Sequence, residues 1–231
     1  MTRPLLKQEA KKQLSKNLGA LILSGLILGI LTGIPSSIQN FGLTSAMSGL
    51  KFPTDPQSFI DWLSRIFNHP VYRTCSSISG ILGIAVSLFA PVLILGVHHV
   101  YLKATTDEKP HFSEMFSKMS QFGTAFLTSL LTGIFIFLWS LLLIVPGIIA
   151  AYSYSMVYYI LAEHPEMGAM DAIRESKRMM KGHKFELFVL QLSFIWWYLL
   201  VLVTFGLAMI YVIPYTEMAK ANFYNKIKES A

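Results

Sequence analysis

Charge is scarce in this chain. Only 14% of its 231 residues are Asp, Glu, Lys or Arg, against roughly a quarter in an ordinary soluble domain, and 53% are hydrophobic. A soluble globular reading is therefore poor. Cysteine is almost absent: Cys75 stands alone, so an internal disulfide is excluded. The spacing of that cysteine and the six histidines offers no zinc, haem or iron–sulfur ligand set. No metal and no cofactor is expected. Strings that announce an enzyme are missing too, with no HExxH, GxSxG, Walker or GxGxxG pattern and no aspartate pair at intramembrane-protease spacing. The reading is non-enzymatic, and an intramembrane enzyme is left as an alternative that only Glu217 recommends. The formal net charge of +6 comes without an aromatic-interleaved basic groove, so nucleic acid is not an expected partner.

What the chain has in quantity is long apolar runs, and a mean hydropathy of +0.51. Runs past the ~20 residues that cross a hydrocarbon core are best read as lipid-facing helices. Leu18 to Ile34 is a first span, uncleaved despite its basic lead, because no A-x-A-like site follows. A second covers 74–100, kinked at Pro91. Residues 119–162 hold no charge over 44 positions, about 66 Å of helix at ~1.5 Å per residue, too long for one span. Pro146-Gly147 is the natural break between a third span, 122–145, and a fourth, 148–163. The 30-residue apolar block from Leu187 to Thr216 is resolved as a fifth span, 185–203, and a sixth, 207–224. Thr204-Phe205-Gly206 supplies the turn, and the sixth span must carry Glu217 and Lys220.

Charge placement supports that count. With six spans and the N-terminus inside, 16 of the 19 Lys and Arg fall on cytoplasmic segments, and only Lys51, Arg65 and Arg73 lie outside. The fold expected is all-α: six transmembrane helices as three hairpins, both termini cytoplasmic, with short interfacial helices. Residues 1–17 form a cytoplasmic basic amphipathic segment, 18–225 the single membrane domain and 226–231 a cytoplasmic tail. Anionic inner-leaflet lipids are expected partners of the basic face. Outside, Ser58 with Asp61 offers a capping box for a surface helix whose apolar face is Phe59, Trp62, Leu63, Ile66 and Phe67. Inside, Phe112, Met115, Phe116 and Met119 repeat at helical spacing. Residues 166–181 make a polar helix with Asp171–Arg174 and Glu175–Arg178 pairs, ended by Gly182, either a solvated face or a surface for docking a protein partner.

Two strings carry a resemblance: WSLLLIVPGIIAAYSYSMVYYILAEHPE from Trp139 to Glu166, and AIRESKRMMKGHKFELFVLQLSFIWW from Ala172 to Trp197. With Tyr215-Thr216-Glu217 and Ala221-Asn222-Phe223-Tyr224, they resemble a family of bacterial integral membrane proteins, domain of unknown function 975. The resemblance implies a multi-pass protein of a bacterial plasma membrane. It supplies no activity and no site residues to carry over.

Candidate chemistry comes from the residues alone. Glu217 lies ten residues into the sixth span, at ~15 Å depth, where an ionisable group is by default a functional hypothesis. The alternative is that Lys220 pairs with it, or that both reach the inner interface. Tyr152, Ser155 and Tyr159 share a face of the fourth span, and Tyr211 and Tyr215 repeat the theme on the sixth. With Gln191 they could line a polar cavity, or they serve interhelical hydrogen bonds and an interfacial belt. Gly25, Gly29 and Gly33 form a small-residue face for packing span one on span two, or for a homo-oligomer. His98 and His99 point about a hundred degrees apart and read as interfacial. The leading function expected is binding, or helping to move, a small hydrophobic or amphipathic molecule through a cavity among spans four to six. The competing one is an accessory or structural subunit that docks a partner through residues 166–181.

Overall fold

The computed structural model describes residues 3–106 and 108–229; the first two residues of the 1–17 segment and the last two of the 226–231 tail lie outside them. Among the described residues there are ten α-helices, two 3₁₀ turns and no strand. Five stretches are long and apolar enough to cross a membrane: Arg3–Met47, Pro70–Thr105, Phe112–Leu142, Ile144–Glu163 and Lys184–Val203. The last helix, α10 (Met209–Lys228), is not among them, because Glu217, Lys220, Lys226 and Lys228 break its apolar character. The chain divides into two units, residues 1–27 with 91–231 and residues 28–90.

In the larger unit, α1 (Arg3–Met47) begins with a segment that leaves helical geometry at Asn17 (φ −121, ψ 22). Leu6, Ala10 and Leu14 recur at i, i+4 and i+8 and are fully buried, so the predicted basic segment is a packed amphipathic helix. Gln13 fastens it at both ends of its amide, donating to the Thr105 carbonyl at 3.3 Å and accepting from Asn222 at 2.8 Å. Helix α10 is the centre of the unit. Met218, Phe223, Tyr224 and Ile227 have at most 1% exposure, and each such side chain removed from water is worth ~1.5–3 kcal/mol.

The break between the third and fourth spans falls at Leu143 (φ −163, ψ 151), three residues before the predicted Pro146-Gly147. Proline is tolerated in a first helical turn, where its missing N–H would be unpaired anyway, so Pro146 lies inside α5 (Ile144–Ser153) near its start. Gly147 instead permits close approach, since a Cβ there would collide with Ser140 of α4 (Phe122–Leu142). The fourth span then breaks again at residues 154–156, before α6 (Val157–Glu163). There the Ser176 hydroxyl of α7 (Ala169–Met179) donates to the Ser153 carbonyl at 2.9 Å and accepts from the Met156 N–H at 3.2 Å.

The fifth span is likewise two helices, α8 (Lys184–Leu192) and α9 (Ile195–Val203). Trp197 N–H turns to Phe194, and the Ser193 carbonyl takes the Lys7 ammonium at 2.8 Å instead. The predicted turn after α9 is present, with Phe205 at φ +50 and Gly206 at φ +92. Glycine meets that left-handed conformation without steric cost. The predicted surface helix from Phe112 is two 3₁₀ turns, 112–116 and 119–121. Here Met115 is buried against Gly96 of α3 (Pro70–Thr105), where any Cβ would strike the Met115 carbonyl.

In the smaller unit α1 continues to Met47 instead of ending at Ile34, with Pro35 inside it. The Pro35 carbonyl accepts from Ser79 at 2.7 Å, and Gly42 makes room for Cys75, whose Cβ would lie 2.6 Å from an added methyl. Helix α2 (Pro56–Asn68) is the predicted surface helix, but its cap is Asp55, not Ser58. Asp55 accepts from the Ser58 N–H at 2.9 Å and Ser58 Oγ accepts from the Asp55 N–H at 3.3 Å. Pro56, preset for a first helical position, starts the helix earlier than the Ser58–Asp61 box would. The Ser58 N–H bond holds the Asp55 carboxyl below its ordinary range.

Ser176→Ala removes both contacts that seal the break in the fourth span and leaves Ser153 C=O and Met156 N–H buried. It should lower stability by about 1–3 kcal/mol for each unpaired group. Thermal unfolding in detergent checks this against Lys177→Ala, an exposed neighbour that should change nothing; equal melting of both variants would contradict it.

Candidate functional site

Helix α10 presents Glu217 and Lys220 one turn apart, and the Lys220 ammonium donates to Glu217 Oε1 at 2.7 Å. The two side chains keep 25% and 29% exposure, so the pair is partly open and not sealed in. Tyr159 of α6 donates to the other carboxylate oxygen at 3.3 Å. Its ring meets His98 edge-on at 4.5 Å and stacks on Tyr224 at 5.5 Å. His98, expected at an interface, is instead part of this cluster: it stacks on Tyr158 at 5.5 Å and lies within electrostatic reach of Glu217. Tyr101, one turn further on α3, also reaches Glu217 electrostatically and sits with its hydroxyl 3.5 Å from the Leu21 carbonyl.

On the other side of Lys220 lie Tyr152 of α5 and Tyr198 of α9, both within electrostatic reach of the ammonium. The Tyr152 hydroxyl donates to Gln191 Oε1 at 2.7 Å, and its ring is edge-on to Phe188 at 6.0 Å. Glu217, Lys220, Tyr159, Tyr152 and Gln191 thus converge from α5, α6, α8 and α10. Ser155 does not join them, because its hydroxyl donates to the Tyr152 carbonyl at 2.8 Å and serves the local break. Tyr211 and Tyr215 belong to a separate aromatic group: Tyr215 is edge-on to Phe194 at 5.0 Å and to Trp197 at 5.5 Å, and Tyr211 leans on Trp197 at 6.0 Å. The Tyr215 hydroxyl is 3.4 Å from the Lys7 carbonyl, which ties it to the N-terminal helix.

Three residues were missed in the sequence. Glu163 takes a hydrogen bond from Tyr224 at 2.7 Å and an ion pair from Lys228, which anchors the C-terminal end of α10 to α6. His98 and Tyr101 stand three apart on a helix, a face that could have been read as polar. Among the described residues the glycine face makes no close approach: an added Cβ at Gly29 or Gly33 meets nothing within 4 Å, and at Gly25 only the Tyr101 hydroxyl at 3.9 Å.

Helix α7 occupies most of the predicted 166–181 helix. Ala169, Ala172, Ile173, Ser176 and Met179 face inward, while Arg174, Lys177 and Lys181 are exposed. Both predicted ion pairs are present, Arg174 with Asp171 at 3.3 Å and Arg178 with Glu175 at 2.6 Å. The Arg178 guanidinium holds the Glu175 carboxyl below its usual value.

Comparison with curated proteins and with solved structures gives no match. A family model does match, in two overlapping stretches, residues 1–153 and 141–231, that together run the length of the chain. The chain therefore belongs to the family described as protein of unknown function, DUF975.

Proposed function

We propose that this is a six-span protein of a bacterial cell membrane, both termini cytoplasmic, which binds a small amphipathic molecule in a crevice between α5, α8–α9 and α10. The observation that carries this reading is the convergence of Lys220, Glu217, Tyr152 and Gln191 on a partly open site at the base of uncharged apolar helices. An amphiphile needs a polar receiver beside an apolar wall. Lys220 and Glu217 together offer a donor and an acceptor with no net charge, which suits an uncharged or zwitterionic head better than a strong anion. Elsewhere on α9, Trp196, Leu202 and Val203 are each at least 74% exposed in the protein alone, a surface that lipid would cover.

The sixth span in this proposal is α10, short in apolar length but closed by the Phe205-Gly206 turn. Its polar half enters the inner interface together with the N-terminal helix and α7. A second reading rests on α7 and the turn after it, where exposed Arg174, Lys177 and Lys181 form a basic face suited to an acidic partner, with the protein as an accessory subunit.

Two measurements test these statements. Extraction and mass spectrometry of the detergent-purified protein should recover a retained amphiphile that Tyr152→Phe/Gln191→Leu loses while its melting changes little. Equal retention by the variant would remove the crevice reading and favour the accessory one. For topology, in a Cys75→Ser background, Ser48→Cys should be labelled from outside intact cells and Lys177→Cys only after permeabilisation. External labelling at residue 177 would end the six-span arrangement.

A further inference from the structure

We infer that α9 and α10 form a re-entrant hairpin, which enters the bilayer from the inside and turns back among the acyl chains, so that its tip at Phe205 does not meet the outer water. This rests on the placement proposed above, with α7, the N-terminal helix and the polar half of α10 at the inner interface. It confines the fifth and sixth spans of that reading to the two limbs of one hairpin, with both ends still inside.

Length comes first. On α10 the charge nearest the tip is Glu217, eight residues after Met209, which is ~12 Å of helix at ~1.5 Å per residue. On the other limb the Lys7 ammonium reaches the Ser193 carbonyl, and the nine residues of α9 add ~14 Å beyond it. Both limbs therefore carry the turn roughly half of a ~30 Å hydrocarbon core away from the nearest charge. The same shortfall keeps α10 out of the stretches apolar enough to cross a membrane.

The second observation is hydrogen bonding. Backbone left unpaired in hydrocarbon is costly, so a turn lodged there has to satisfy itself. The six N–H groups from Thr204 to Met209 all find acceptors within the hairpin: five reach carbonyls of residues 200–206, and Ala208 donates to Thr204 Oγ1 at 3.0 Å. That hydroxyl donates in turn to the Leu200 carbonyl at 2.9 Å, and Thr204 carries the one polar side chain from Leu199 to Ile210. With Phe205 at φ +50, the Gly206 N–H reaches back to the Val201 carbonyl at 2.8 Å, the bond that closes a helix C-terminus on itself. The third observation is what the turn presents outward. Leu202, Phe205 and Leu207 are 75%, 98% and 75% exposed. Large apolar side chains held open on an uncharged turn with its donors spent fit acyl chains and not water.

Nitroxide labels on the full-length protein, in vesicles of phosphatidylcholine and phosphatidylglycerol, measure the depth, because oxygen concentrates in hydrocarbon and a polar nickel chelate is excluded from it. In a Cys75→Ser background, Phe205→Cys and Leu207→Cys should each collide with oxygen at least about tenfold more often than with the chelate, and Lys177→Cys should show the reverse. Leu207 does not take the left-handed conformation, so its variant decides the matter if Phe205→Cys fails to fold. In intact cells neither tip cysteine should take a water-soluble maleimide from outside. Chelate contact at the tip, or labelling from outside, would overturn re-entry while leaving the six-span reading standing. Low contact with both probes would place protein, such as a second copy of the chain, over the tip and would overturn it as well. Labelling of Lys177→Cys from outside would instead sink the placement on which both readings rest.

Discussion

The Lys220–Glu217 pair allows a helix with four charged side chains to serve as the core of its unit. A carboxylate brought among apolar side chains without a partner is costly, and the same holds for an ammonium. In α10 each charge is answered: Glu217 by Lys220 on the same helix, Lys226 by Glu186 of α8, and Lys228 by Glu163 of α6. The neighbouring helices are thereby fixed in register against α10. Tyr159 and Tyr224 then fill the space between α6 and α10, and Tyr224 ties its hydroxyl to the same Glu163.

A related constraint governs the broken spans. A helix interrupted where water is scarce exposes a carbonyl or an N–H that must find a partner inside the protein. The fourth span is sealed by Ser176 and the fifth by Lys7, each from an element far away in sequence. These two contacts explain why the polar α7 and the basic N-terminal segment are packed elements, although their composition reads as surface. They also set the directions of α5 and α8 that bring Tyr152 to Gln191.

The all-helical class with several stretches long and apolar enough to cross a membrane was legible because such stretches need long uncharged runs, and composition records them directly. Family membership was legible from two strings around the fourth and fifth spans. Element ends were less so. Pro146 read as a breaker yet lies in a first helical turn, where no N–H is needed, and α1 runs on past Ile34 through Pro35, whose carbonyl is taken by Ser79. Pro146-Gly147 marked the break at Leu143 to within three residues, but the interruptions at residues 154–156 and Ser193–Phe194 left no local mark, since what stabilises them is a side chain twenty or more positions away or a lysine near the N-terminus. Of the candidate residues, the structure brings Glu217, Lys220 and Tyr159 together and pairs Tyr152 with Gln191. Tyr211 and Tyr215 do not, because Trp197 and Phe194 hold them on another face, and His98 was hidden by its adjacency to His99.

The claim on which this account turns is that α10 tolerates its central charges only as a pair. A double-mutant cycle on thermal or denaturant unfolding in detergent, with Glu217→Gln, Lys220→Met and the two combined, measures this directly. Each single variant should be less stable than the wild type, and the double variant should cost less than the sum of the two. The difference should be a coupling of about 1–3 kcal/mol, reduced from the fully buried case because the pair is partly open. Strictly additive losses, or singles that melt with the wild type, would show that the charges of α10 are independent and that its place at the core rests on packing alone.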